Sequence, residues 1–350
     1  MATVSTRPLL AAAEGERDRK AEHIRLALDR RMQVERSYFD NYRFEHRALP
    51  EIDFEDVRIG SEFLGRELRA PLLISGMTGG TGVAERINRR LAEAAEVERV
   101  TLGVGSQRKA IDDPETAATF RVREFAPSVP ILANLGAVQL NYGYGVDECR
   151  VAVDMVEADA LVLHLNALQE ALQPEGQLNF RGLLPKIARV VEALEVPVVV
   201  KEIGCGISAT VGRELANIGV RILDTAGVGG TSWARIEAAR ADEVGLGERF
   251  ADWGLPTPES IRQLAAVPGV QVIGSGGIRS GVDAAKALAL GADIAGMAFP
   301  FLEAANASTD AVVDRIARTA FELRVCMFCT GAADLAALRR VPLPRETGDA

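Results

Sequence analysis

The segment HLNALQE, residues 164–170, places a histidine, two amides and a carboxylate directly after the apolar run ADALVL. A strand covered on both faces reads as one continuous apolar run, and ligand chemistry in α/β folds gathers just beyond the carboxyl ends of such strands. His164, Asn166, Gln169 and Glu170 therefore mark a candidate site. A second signal is VKEIG at 200–204, where Lys201 sits in or at the end of an apolar strand. An unpaired ammonium there is costly, so it needs a bound anionic group or a salt bridge to Asp224 or Glu202. Adjacent strand residues point to opposite faces, which makes Glu202 the poorer partner, and an electron-rich ring or a phosphate is the preferred reading. A third signal is GSGGIRSG at 274–281. Its glycines allow close backbone approach to an anion, with Arg279 as a charge-assisted donor; a tight turn is the plainer alternative.

Other chemistries are limited by count. The chain has three histidines, His23, His46 and His164, too few for a histidine-rich metal centre. Of four cysteines, only CMFC at 326–329 has redox or metal spacing. It stands alone in a helical stretch, and a closed zinc site needs four ligands, so packing is the expected role. The formal charge of −9 offers no global attraction to nucleic acid or acidic membranes, and anions must be met by local positive groups. No run of eighteen apolar residues and no secretory leader is evident, so a cytoplasmic protein without membrane or nucleic-acid partners is expected.

These residues must be positioned by strands. Eight short apolar runs recur: 71–76, 101–105, 131–135, 160–165, 196–203, 220–225, 270–275 and 292–298, most preceded by a helix-like segment. Eight strands alternating with helices predict a (β/α)8 TIM barrel, with an open doubly wound sheet as the rival. The barrel demands polar and glycine residues at its carboxyl-terminal mouth. The strand ends supply them: MTGGT, SQR, ANLG, HLNALQE, VKEIG, DTAGVGGTSW, GSGGIRSG and GMAFP. The last two occupy the place of the usual barrel phosphate cradle.

Taken as a set, the motifs resemble the type 2, flavin-dependent isopentenyl-diphosphate isomerases. The resemblance runs from RKAEHI at 19–24 through FLGRELRAPLLISGMTGGT, LGVGSQR, ANLGAVQL, HLNALQE, VKEIGCGIS, DTAGVGGTSW and FADWGLPT to GSGGIRSGVDAAKALALGAD. It implies FMN bound by Gly76, Met77, Thr78, Ser106, Asn134, Lys201, Thr231, Gly277, Ile278, Arg279, Ala298 and Phe299. It implies substrate contacts at Arg19, Lys20, His23, Ser106, Gln107, Arg108 and Gln169, a Mg²⁺ ligand at Glu170, and catalytic roles for Gln169, His164 and Asn166. In that family reduced FMN is the acid and base that converts isopentenyl diphosphate to dimethylallyl diphosphate, NADPH is the reductant, and the protein is a homo-oligomer, a tetramer or octamer. Gln177 and Leu178 depart from that pattern, in which a charged pair is common at these places, as does Cys205, where a larger residue is frequent.

Elementary chemistry agrees with much of this. A diphosphate is usually held by Mg²⁺ with Arg or Lys, and a hard cation favours oxygen ligands such as one carboxylate and waters. The plainer readings are a helix-capping Glu170, a solvated Arg19–Lys20 pair and a surface His23. Residues 1–18, without a periodic apolar face, read as a flexible extension. Residues 19–350 read as one FMN-binding barrel domain, with a substrate arm at 19–65. Two rival functions are a flavin 2-hydroxy-acid oxidase, which would need a histidine base in the later loops where none exists, and a non-catalytic flavin-binding protein.

Overall fold

In a computed structural model of the chain, residues 19–35 and 37–346 are described, residues 19–21 by their backbone alone. The proposed extension at 1–18 lies outside them. All eight apolar runs form strands: β3 (Leu72–Ile74), β4 (Thr101–Gly103), β5 (Ile131–Gly136), β6 (Ala160–His164), β7 (Val198–Lys201), β8 (Ile222–Asp224), β9 (Gln271–Ser275) and β10 (Ile294–Met297). They pair in chain order, all parallel, and β10 pairs with both β9 and β3 to close the barrel. This is the (β/α)8 architecture, and the open-sheet rival is excluded.

Period-two alternation sorts each strand between two cores. Leu73, Leu132, Val162, Val199, Ile222, Ile273 and Ile294 point inward and fill the barrel. Their neighbours Leu72, Ile131, Leu161, Val200 and Leu223 point outward against the helices. The helices are α1 (Arg19–Ala27), α2 (Gly82–Glu98), α3 (Arg108–Asp112), α4 (Val146–Val156), α5 (Ala167–Leu172), α6 (Leu183–Ala193), α7 (Ala209–Asn217), α8 (Trp233–Arg240), α9 (Val244–Arg249), α10 (Thr257–Ala265), α11 (Gly281–Ala289), α12 (Phe299–Ala307), α13 (Thr309–Cys329) and α14 (Leu335–Leu338). Local chemistry starts several of them. Thr81 caps α2 through Ala84 N, and Ser280 and Asp283 form a reciprocal capping box on α11, each satisfying backbone N–H groups that the helix leaves unpaired.

One element was not foreseen. The stretch SEFLGREL makes a hairpin of β1 (Ser61–Phe63) and β2 (Arg66–Leu68), turning at Leu64 and Gly65, both at positive φ (50° and 73°). That is the two-residue turn whose twist suits a hairpin. Phe63 and Leu68 join the inner core and stopper the barrel opposite its mouth. Arg66 Nε donates to Asp159 Oδ1 (2.9 Å), while Asp159 Oδ2 accepts from Arg123 and from Ile131 N, so a three-way ionic cluster holds the stopper in place.

The arm joins mouth to stopper. Val34 N donates to Gly230 O and Ser232 N to Met32 O, both at 2.8 Å, and Lys286 Nζ donates to Phe39 O. Cys326 and Cys329 lie one turn apart near the end of α13 as free thiols, and burial pushes Cys326 up to about 11. Among the described residues no three His, Cys, Asp or Glu side chains cluster as a metal centre, and no helix is long and apolar enough to cross a membrane.

Candidate active site

The carboxyl ends of the strands surround a cavity of about 980 Å³, the size of a cofactor-plus-substrate site. Its floor begins with Gly76, Met77 and Thr78 after β3. A Cβ at Gly76 would collide with the carbonyl oxygen of Val104. Gly76→Ala should therefore force the β3 and β4 ends apart and lower unfolding free energy by about 1–3 kcal/mol, read as an earlier denaturant midpoint.

Asn134, within β5, orients the histidine. Its Nδ2 donates to Val104 O (3.0 Å), so Oδ1 faces His164 Nδ1 at 2.8 Å. That nitrogen must be the donor, which leaves the neutral ring's lone pair on Nε2. Gln107 differs from expectation. It is fully buried, with Oε1 accepting from Asn134 N and Nε2 donating to Ala152 O. Its side chain does not line the cavity, whereas its neighbours Ser106 and Arg108 do. Gln107 braces Asn134 from behind.

Lys201 corrects another preference. Its Nζ lies 3.1 Å from Asp224 Oδ2, and Asp224 is 2 % exposed. The protein itself supplies the counter-ion because parallel pairing sets Lys201 beside Asp224. Glu202 points away. One of its carboxylate oxygens accepts from the backbone N–H groups of Ile203, Gly204 and Cys205, while burial pushes the acid upward against their pull. Arg279 is also less free than expected, since its Nη2 donates to Val34 O (2.7 Å) and Gly229 O (2.9 Å). It lines the cavity while tying the arm to the β8 loop. Thr231 Oγ1 accepts from Gln33 of the same arm. Gly277, Ile278, Ala298 and Phe299 complete this side, where α12 begins without a side-chain cap; Pro300 has no N–H and Phe301 N donates to Ala298 O, which leaves the N–H of Phe299 at the helix start for an anion.

The HLNALQE segment turns out of β6 into α5. Asn166 Nδ2 donates to Gln169 Oε1 (3.0 Å) and Glu170 Oε1 (2.9 Å). Glu170 Oε2 accepts from Gln177 N at 2.6 Å. Asn166 Oδ1 is buried with no hydrogen-bond partner among the described residues. His164, Asn166, Gln169 and Glu170 all line the cavity.

Sequence reasoning missed Glu237. In WARIEAAR it reads as one half of an ordinary i,i+3 pair with Arg240, and nothing local distinguishes it. In the fold it is fully buried and serves three groups: Gln169 Nε2 donates to Oε1 (2.7 Å), His23 Nε2 lies 3.1 Å from the same oxygen, and Arg240 Nη1 donates to Oε2. Burial would raise this carboxyl, but the His23, Gln169 and Arg240 contacts outweigh it and hold the acid below its ordinary value. His23 is thus no surface residue. It lines the cavity edge-on to Trp233, with ring centroids 5.3 Å apart. Arg19 and Lys20 belong to α1, but their side chains lie outside the described residues.

A family profile described as FMN-dependent dehydrogenase matches residues 160–343. A mandelate oxidase structure superposes with a TM-score of 0.63 at 20% identity, covering 93% of this chain and 92% of that one, which is a likeness of fold. A protein from Synechococcus sp. named isopentenyl-diphosphate delta-isomerase is 52% identical over 337 residues, 95% of this chain and 97% of that one. A protein of the same name from Nostoc sp. is 50% identical over 327 residues, 92% and 93% of the two chains. The chain belongs to the isopentenyl-diphosphate delta-isomerase family and is an isomerase built on the FMN-dependent dehydrogenase barrel.

Proposed function

We propose that the protein converts isopentenyl diphosphate to dimethylallyl diphosphate, with reduced FMN at the barrel mouth and Mg²⁺ on the diphosphate. The observation that carries this reading is the union, in one cavity, of a glycine-lined floor with the buried oxygens of Glu170 and Asn166. The close approach at Gly76 and the uncapped start of α12 suit a flat phosphorylated cofactor. Glu170, beside the unpartnered Asn166 Oδ1, suits a hard cation that completes its shell with diphosphate oxygens and water.

Reduced FMN, when bound, supplies an electron-rich ring able to carry the proton exchanged with the alkene. Glu170 would hold Mg²⁺, whose charge would offset that of the diphosphate. The protein's own residues do the rest. The loop at Gly76, Met77 and Thr78, together with Ser106, Asn134, Thr231, Gly277, Ile278, Arg279, Ala298 and Phe299, holds the cofactor, and Lys201, paired with Asp224, offers it an N–H donor at the floor. Arg108 and the arm residues Arg19, Lys20 and His23 meet the substrate. Gln169, fixed between Asn166 and Glu237, orients the reacting end, and His164 lies beside it. NADPH as reductant, a tetrameric or octameric assembly and a cytoplasmic location belong to the same proposal.

Gln169→Ala tests the assignment. We expect kcat to fall about 100-fold, the scale of a misplaced substrate, with FMN content unchanged by its absorbance. Loss of the yellow colour together with activity would instead make Gln169 a cofactor ligand and overturn its catalytic role.

A further inference from the structure

Gln139 is buried at 5 % exposure and lines the cavity, although nothing in the readings above gives it a task. It lies in the 3₁₀ turn after β5, at residues 137–141. Its Nε2 donates to Gln177 Oε1 at 2.7 Å, and the backbone N–H of Gln177 donates to Glu170 Oε2. A side chain from the β5 loop is therefore linked through one residue of the 173–177 turn to the carboxylate of α5.

The surroundings are shaped for this relay. A Cβ at Gly136 would collide with Gln139 Oε1, so the notch that seats the amide exists because residue 136 is glycine. A Cβ at Gly176 would collide with the carbonyl oxygen of Glu170, so the turn can fold back onto α5 only with glycine there. Gln173 N donates to Gln169 O and Gly176 N to Gln173 O, which closes the turn upon the helix. The carboxylate of Glu170 is consequently held from both sides. Asn166 holds Oε1, and Gln177 N, steadied by Gln139, holds Oε2.

We propose that Gln139 and Gln177 form a positioning pair that sets the Glu170 carboxylate for its divalent cation, and so determine how much Mg²⁺ the protein needs to retain a diphosphate. The inference rests on the proposed role of Glu170. Groups that orient a metal ligand through hydrogen bonds typically change metal affinity 10–100-fold when removed. The neutral amide pair does this without adding charge beside the diphosphate. Gln139 and Gln177 act through Glu170 and are not themselves catalytic.

The test uses the flavin-loaded protein with FMN oxidised, so that retention and not turnover is read. Labelled isopentenyl diphosphate is held by equilibrium dialysis across a Mg²⁺ titration, and the midpoint in Mg²⁺ is recorded. Gln139→Ala and Gln177→Ala should each raise that midpoint about tenfold with unchanged flavin content. The double variant should be no worse than the worse single one, because both act through one link. Gln177→Ala leaves the buried core untouched, so it reports even where Gln139→Ala folds poorly. An unchanged midpoint in Gln177→Ala, or single effects that multiply in the double variant, overturns the pair. Glu170→Gln separates the two levels. A raised midpoint there with none in the pair removes this inference alone, while no shift in any variant, or no Mg²⁺-dependent retention at all, removes the metal role of Glu170 with it.

Discussion

Anaerobic turnover should give many molecules of dimethylallyl diphosphate for each reducing equivalent supplied, and the oxidised protein should give none. Shifting a double bond adds one proton and removes another, with no net electron transfer. Reductant is then needed to prime the protein and is not consumed per cycle. Two histidines, His23 and His164, and four carboxylates, Asp112, Asp113, Glu170 and Glu175, line the cavity, and the groups that could compete for the proton have other ties. His164 is tied at Nδ1 to Asn134, Asp224 is neutralised by Lys201, and Glu237 is held ionised by its three partners. The measurement is a count of nicotinamide oxidised, or dithionite added, against product formed. A steady one-to-one ratio would make the protein an oxidoreductase and overturn the proposed isomerisation.

Replacing Glu237 by glutamine should be the most damaging single isosteric change at the mouth. The carboxylate serves Gln169, His23 and Arg240 at once, and Arg240 also reaches Glu22 of α1 (3.4 Å) and Glu175 (3.1 Å). A neutral amide leaves the buried guanidinium without its main partner, a loss of about 3–5 kcal/mol for a broken buried pair. Stability by denaturant should fall by that order, and trypsin should cut at Arg25 faster as α1 comes loose. The pH dependence has a definite sign. Because the folded carboxyl is held below its ordinary value, its contribution is fully present above the unfolded value near about 4.3 and drains away as pH falls through the folded one. The gap between parent and Glu237→Gln should therefore be widest at neutral pH and close in acid. A gap independent of pH would mean that packing, and not charge, is what the substitution removes.

The barrel could be read from the sequence because its strands are buried on both faces, and continuous apolar runs with glycine at their ends are the direct imprint of that burial. The hairpin could not. Its turn is Leu-Gly rather than Asn-Gly or Asp-Gly, and its strands are three residues long, too short for alternation to show. At the mouth, residue types were legible but directions were not. SQR announces a polar loop, yet whether Gln107 faces cavity or core is decided by Ala152 and Asn134, far along the chain. Lys201 and Asp224 were each visible at a strand end, but only the register of β7 on β8 makes them opposite neighbours. Glu237 was hidden because its partners come from α1 and α5, which a helix-by-helix reading cannot bring to it.

The stopper at the closed end of the barrel bears on how the chain comes together. Phe63 and Leu68 are synthesised before any barrel strand, yet their pocket includes Ile294 from the last one. The hairpin therefore has no complete seat until the ring shuts. Contacts between such distant parts of a chain must first meet the entropy of closing the intervening loop. The same segment carries α1 to the opposite face, so seating of the stopper and draping of the arm over the mouth become late events of one assembly. A molecule whose ring has not closed exposes two large apolar side chains at one end and lacks a roof at the other, so competence to hold a ligand and completion of folding arrive together.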